Sequence, residues 1–197
     1  AINIALKHDG VLILEGPALL PCIKFNIYDQ FYCEHIYVFS TIALQKILEP
    51  FGLEIFDIDN IKTHGGSNRY YIKRKTNKYF KITKRVRNNV KKEVKFGLKK
   101  FMTYKIFSRK VEKSKKKLKD IFKKLIFQRK KIIGYGATAK SCTVLNYCEI
   151  NNSNIKFFYD TTSFKIGKYL PGSKIKIRKY KKLEIKDADY VFLGAWN

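Results

Sequence analysis

The feature that most constrains this chain is a strand that runs straight into glycines. Lys131-Ile-Ile-Gly134 leads into Gly134-Tyr-Gly136-Ala-Thr-Ala139, and a helix follows through about Cys148. A second strand, Ile155-Lys-Phe-Phe-Tyr159, then ends in Asp160. Strand, glycine turn, helix and strand make a βαβ unit, so an α/β fold is expected. Glycines at such a turn let backbone amides approach an anion at the helix N-terminus, where the peptide dipoles favour negative charge. Lys140, one turn into the helix, adds a positive charge. The competing reading of the same glycines is tight packing of helix on strand. Asp160 has two readings as well, a contact to a ribose hydroxyl or the cap of a turn. Val191-Phe-Leu-Gly194 reads as a later strand.

The N-terminal part has a different pattern. Val11 to Glu15, after the turn His8-Asp9-Gly10, reads as a short buried strand, and residues 16–39 as irregular and aromatic-rich. Ser40 is expected to cap a helix running to about Phe51, with Gly52 as its stop. Leu53 to Asp59 alternates as a strand, and Ser67 to Lys73 is expected to pair back on it after the turn His64-Gly65-Gly66. The irregular stretch carries Tyr32-Cys33-Glu34-His35. Loops leaving the ends of strands form the ligand rim of open α/β sheets. A histidine there, beside a carboxylate and a phenol, has the parts for proton abstraction. The alternative is a histidine hydrogen-bonded into a helix start. His64, before two glycines, reads as a turn residue.

Charge separates the two parts. The chain has 42 basic and 16 acidic residues, a formal +26, yet residues 73–131 hold 26 of the basic ones against Glu93, Glu112 and Asp120. No proline occurs between Pro50 and Pro171. Val86, Val90, Val94, Leu98, Phe101 and Met102 hold helical spacing, as do Leu118, Ile121, Phe122, Leu125 and Ile126. Two amphipathic basic helices joining two α/β halves are expected. Lysines outnumber arginines 35 to 7, whereas recognition of bases and phosphates favours the planar arginine fork. The segment therefore reads as a solvated helical face, with no specific nucleic-acid partner. The mainly apolar stretch from Val11 to Ile23 is 13 residues with Glu15 and two prolines inside it, too short to span a bilayer and wrongly flanked for a signal peptide. No membrane partner is expected. Cys22, Cys33, Cys142 and Cys148 lack CxxC spacing and companion histidines, so no metal site is expected and a reducing, cytoplasmic compartment is. The chain starts without Met and stops at Trp196-Asn197 after a strand-like run, so both ends read as cut.

Three motifs in order carry a family resemblance. LILEGPALLPCIKFNIYDQFYCEHIYVFS, from Leu12 to Ser40, resembles the catalytic-loop segment of S-adenosylmethionine-dependent nucleotide-sugar C-methyltransferases acting on TDP-deoxysugars. That loop has an acidic residue and proline after a strand, then a tyrosine, His-Glu-His and a Tyr/Phe-Ser ending. Cys33 stands at the first histidine of that pattern, and Tyr32, Glu34 and His35 at the matching positions. The similarity continues through FGLEIFDIDNIKTHGGSNRYY, then GYGATAKSCTVLNY, YDTTSFKIGKYLPGSKI and FLGAWN, with Ser141 where glycine is more usual. The resemblance implies the end of a class I methyltransferase sheet in residues 1–75 and a basic helical connector in 76–129. It implies a Rossmann-like, nucleotide-sugar-binding domain in 130–197. It also implies that His35 removes a proton α to a ketone, that Glu34 orients the imidazole, and that Tyr32 positions the sugar or stabilises the enolate. Gly134, Tyr135, Gly136, Ala137, Lys140, Asn146 and Asp160, with His64, would contact the nucleotide-sugar. Most of the S-adenosylmethionine site, and the family's zinc in an N-terminal domain, would lie outside this chain, leaving it inactive alone. The competing expectations are an NAD(P)-dependent oxidoreductase using the 134–139 turn and a basic nucleic-acid-binding protein.

Overall fold

A computed structural model describes residues 2–196. Its contacts divide the chain into two compact units, Ala1–Gln30 with His35–Ser108, and Phe31–Glu34 with Arg109–Asn197. No helix among the described residues is long and apolar enough to cross a membrane.

The first unit contains α1 (Ile2–Ala5), β1 (Leu12–Pro17), α2 (Leu19–Lys24), α3 (Thr41–Leu48), β2 (Leu53–Ile61), β3 (Ser67–Arg74) and α4 (Lys84–Phe96), and α5 (Phe101–Phe127) begins in it. Its sheet is antiparallel in the order β1-β3-β2, with Leu14 opposite Tyr70 and Ile55 opposite Ile72. Leu44 and Leu48 of α3, Ile55 and Ile58 of β2, Tyr70 and Ile72 of β3 and Val86 of α4 form its core. Local signals place α3 as expected. Ser40 Oγ accepts from the Ala43 N–H at 3.1 Å, and Gly52 ends the following turn in the left-handed conformation at φ 65°.

Two expectations change. β1 is an edge strand, and with a partner on one side only it leaves Ile13 58% exposed, so it is not the buried strand expected. Residues 16–39 are less irregular than expected, because α2 forms there with Pro21 in its first turn, where a missing N–H costs little.

α4 buries Val86, Asn89 and Glu93, while Val94 is 45% exposed. The buried face is therefore set one residue back from the apolar spacing 86, 90, 94. Glu93 explains the shift. Its carboxylate accepts from the N–H of Thr41 at 2.8 Å and of Ile42 at 3.0 Å, at the positive end of α3. Asn89 Nδ2 donates to Thr41 Oγ1 at 2.6 Å beside it.

The second unit holds most of α5, then β4 (Ile132–Tyr135), α6 (Ala139–Tyr147), β5 (Phe158–Asp160), β6 (Ile177–Lys179), α7 (Lys182–Ile185) and β7 (Tyr190–Leu193). Its four strands are parallel in the order β6-β5-β4-β7. The molecule is thus mixed α/β. Ile132 and Phe158 pack on one face with Phe122, Leu145 and Ile177, and Ile133, Phe157 and Tyr159 pack on the other. Adjacent residues of one strand are buried on opposite sides because the sheet is covered on both faces. Gly134 lies under the Phe158 ring, and a Cβ there would fall 2.3–2.4 Å from three ring carbons. Close packing alone requires glycine at that position.

Candidate functional site

Sequence and structure meet first at the glycine turn. Gly136 turns the chain at φ 83°, and Thr138 and Ser141 form a capping box that starts α6. Thr138 Oγ1 accepts from the Ser141 N–H at 3.1 Å, and Ser141 Oγ donates to the Gly136 carbonyl at 2.8 Å. The serine at the place where the resemblance expects glycine thus closes the turn on itself. Asp160 lies beneath it. One carboxylate oxygen accepts from the Ala137 N–H and the other from the Thr162 N–H, each at 2.8 Å. Burial alone would raise its pKa, but these donors and the Lys165 ammonium outweigh it and hold the carboxyl below its ordinary value. Lys165 Nζ sits 3.5 Å from Asp160 and donates to the Ala137 carbonyl at 2.9 Å. The Ala137 backbone is therefore held at both its N–H and its carbonyl.

A cleft of about 610 Å³ opens against this turn. Phe164, Tyr169 and Tyr32 give it aromatic walls, and Lys165 and Lys168 give it positive charge. Ala137 and Asn146 line it too, and Asn146 is held by its Nδ2 donating to the Pro171 carbonyl at 3.1 Å. Glu34 also faces the cleft, and the Cys33 thiol donates to its carboxylate at 3.1 Å. That hydrogen bond pushes the Cys33 pKa up, which keeps the thiol protonated. Rings for stacking and ammonium groups for phosphate are the complement of a nucleotide.

The remaining expected residues are distributed elsewhere. Gly134 is committed to packing under Phe158. Tyr135 meets Tyr180 edge to face at 5.6 Å. Lys140 is buried, with its ammonium over the Trp196 ring at 4.9 Å, and does not line the cleft. Lys165, Lys168, Phe164 and Tyr169 were not singled out in the sequence. Their signal was the alternation of basic and aromatic residues in SFKIGKY.

His35 and His64 belong to the first unit. His35 Nδ1 lies 3.1 Å from the backbone oxygen of Gln30. A carbonyl only accepts, so Nδ1 carries the proton and, in the neutral ring, Nε2 keeps the basic lone pair. The His64 ring meets His35 edge on, with centroids 5.7 Å apart. Among the described residues, no group of three or more His, Cys, Asp and Glu side chains is arranged to hold a metal ion.

Comparison with known proteins places these features in a family. Residues 62–197 match the model of the C-methyltransferase C-terminal domain. The chain is also similar to the C-methyltransferase NovU of Streptomyces niveus, 29% identical over 196 residues. That alignment covers 100% of this chain and 46% of NovU, so the chain spans about half the length of its curated relative.

Proposed function

The chain belongs to the C-methyltransferase family, and from that premise we propose that it supplies the acceptor side of a methyl transfer to a carbon α to the ketone of a nucleotide-linked keto-deoxysugar. The observation that carries the reading is the second unit's cleft, where Lys165 and Lys168 lie among Tyr32, Phe164 and Tyr169. The rings stack on the base, and the exposed Lys168 ammonium meets the diphosphate. Lys165 already spans Asp160 and Ala137 and shapes the wall.

His35 is the base of the reaction. Its Nε2 takes the α-proton as the C–H electron pair moves into the ketone, giving an enolate. Tyr32 positions the sugar or stabilises the enolate, and Glu34 orients the imidazole. S-adenosylmethionine, when bound, would supply an electrophilic sulfonium methyl for the enolate carbon. Among the described residues, the glycine-rich strand-to-helix turn belongs to the second unit, and the first unit's sheet is wholly antiparallel. The order β1-β3-β2, with the last strand between the other two, agrees with the end of a class I methyltransferase sheet. The second sheet's order agrees with half of a Rossmann-like domain.

Calorimetric titration of the chain with TDP and with NAD tests this reading. TDP is expected to bind and Lys168→Glu to weaken it at least tenfold, the cost of turning one phosphate contact into a repulsion. Tighter binding of NAD, insensitive to Lys168, would favour an oxidoreductase. Asp160 argues against that outcome, since both its oxygens are already engaged within the turn.

A further inference from the structure

Gln30 is 0% exposed, and no local motif singles it out. It ends a short 3-10 turn, Tyr28–Gln30, and immediately precedes the four residues Phe31–Glu34 that His35 follows. Its backbone oxygen receives His35 Nδ1. Its side-chain nitrogen, Nε2, donates to the backbone oxygen of His64, 34 residues away. The amide orientation is fixed by that partner, because only the nitrogen end can face a carbonyl. The other end, Oε1, is buried and has no hydrogen-bond partner. A buried, unsatisfied carbonyl is unfavourable, so the side chain is held there by what its nitrogen does. What the nitrogen holds is itself uncommon. His64 has φ 55°, a left-handed conformation that non-glycine residues seldom adopt, and the His64 ring packs edge on to His35.

We propose that Gln30 is a positioning residue of His35, its side-chain amide pinning the His64 turn while its backbone carbonyl keeps the His35 proton on Nδ1. One residue then fixes the imidazole from two directions. The carbonyl selects the tautomer that leaves Nε2 basic, and the amide anchors the ring against which that imidazole rests. This assignment rests on the reading of His35 as the base, but its test observes the imidazole directly and needs no substrate.

The chain contains three histidines, His8, His35 and His64, so long-range nitrogen–proton NMR spectra of histidine-labelled protein resolve each ring. At about pH 8, above the ordinary imidazole pKa, His35 is expected to show a single form protonated at Nδ1. Free histidine in water prefers the opposite form. Gln30→Met keeps the volume and the backbone carbonyl but removes the amide donor, so the His64 turn is released and the His35 ring loses the support that holds it on that carbonyl. His35 in that variant is expected to become a mixture in which the Nε2-protonated form is the larger, while His8 stays as it was. Should Gln30→Met fail to fold, Gln30→Asn, whose amide stops one methylene short, is expected to give the same release. An Nε2-protonated His35 in the unsubstituted chain would overturn the assignment. So would a folded variant with an unchanged His35 spectrum. Either result leaves the TDP titration standing, and a failed titration leaves the tautomer result standing.

Discussion

Both units have apolar cores, but buried polar groups tie helix to helix in the first and gather at the glycine turn in the second. In the first, Glu93 and Asn89 are buried on α4 and tie it to the start of α3, and Lys73 is buried against Glu54 at 2.7 Å. Its sheet has β1 at one edge, with Ile13 exposed. In the second, Ile133, Phe158, Tyr159, Leu145, Ile155 and Ile175 are all 0% exposed, and the sheet is covered on both faces. The contrast also separates two parts of the proposed chemistry. The second unit carries the cleft proposed for recognition, and the first holds the histidine on loops fixed by hydrogen bonds.

Overpacking the second unit is the strongest way to test that contrast. Gly134→Val puts a branched side chain where even a Cβ falls 2.3 Å from the Phe158 ring. A loss of about 3 kcal/mol is expected, the upper part of the usual range for an overfilled core. Hydrogen exchange should speed up in β4, β5 and α6 and hold in β2 and β3. Uniform acceleration through both sheets would erase the distinction between the units.

Removing a polar tie is expected to cost slightly less. Glu93→Ala leaves the Thr41 and Ile42 N–H groups without their buried acceptor, at about 2 kcal/mol. The loss should fall on α3 and α4 and change little with salt, since buried charges are poorly screened. A urea titration at low and high salt measures it, and an effect below about 0.5 kcal/mol would mean that apolar packing alone holds these helices.

The ease of reading the sequence followed the range of the interactions. Ser40 and Gly52 act within four residues of themselves, so the ends of the α3 turn were legible. The β2–β3 hairpin was legible for the same reason, with His64-Gly65-Gly66 marking its turn. Glu93 bonds residues about fifty positions away, and inside a lysine-rich helix it looked like one charge among many. Gln30 was hidden likewise, since its partner His64 is distant in sequence and it stands in an aromatic-rich stretch. At the glycine turn the spacing announced a turn but not its occupants. Gly134 serves packing, and the lysines of the cleft come from residues 165 and 168, not from Lys140.

Acid should act through a carboxylate in each unit. Burial pushes Asp57 up, but Arg85, Thr83 and the Ile58 N–H more than offset it, and Asp160 is lowered in the same way by Thr162, Ala137 and Lys165. A carboxyl depressed in the folded state stabilises fully above its unfolded value, about pH 4, and that contribution is lost as pH falls through the folded value. Asp160→Asn is expected to cost roughly 1 kcal/mol at neutral pH and to flatten the acid loss in the second unit only. Chemical denaturation monitored by exchange between pH 2 and 7 distinguishes the units. An unchanged acid profile in the second unit would mean that Asp160 has no such role.

The central claim is that His35 removes a proton from the carbon beside a ketone, and deuterium uptake at that carbon tests it most directly. The chain would be incubated in heavy water with a TDP-linked keto-deoxysugar, and NMR would follow loss of the α-proton signal with no methyl donor present. Exchange faster than in buffer is expected with the unsubstituted protein, falling by about two to four orders of magnitude in His35→Ala, the usual span for a lost general base. Equal exchange in the two proteins, at a rate above buffer, would contradict the account.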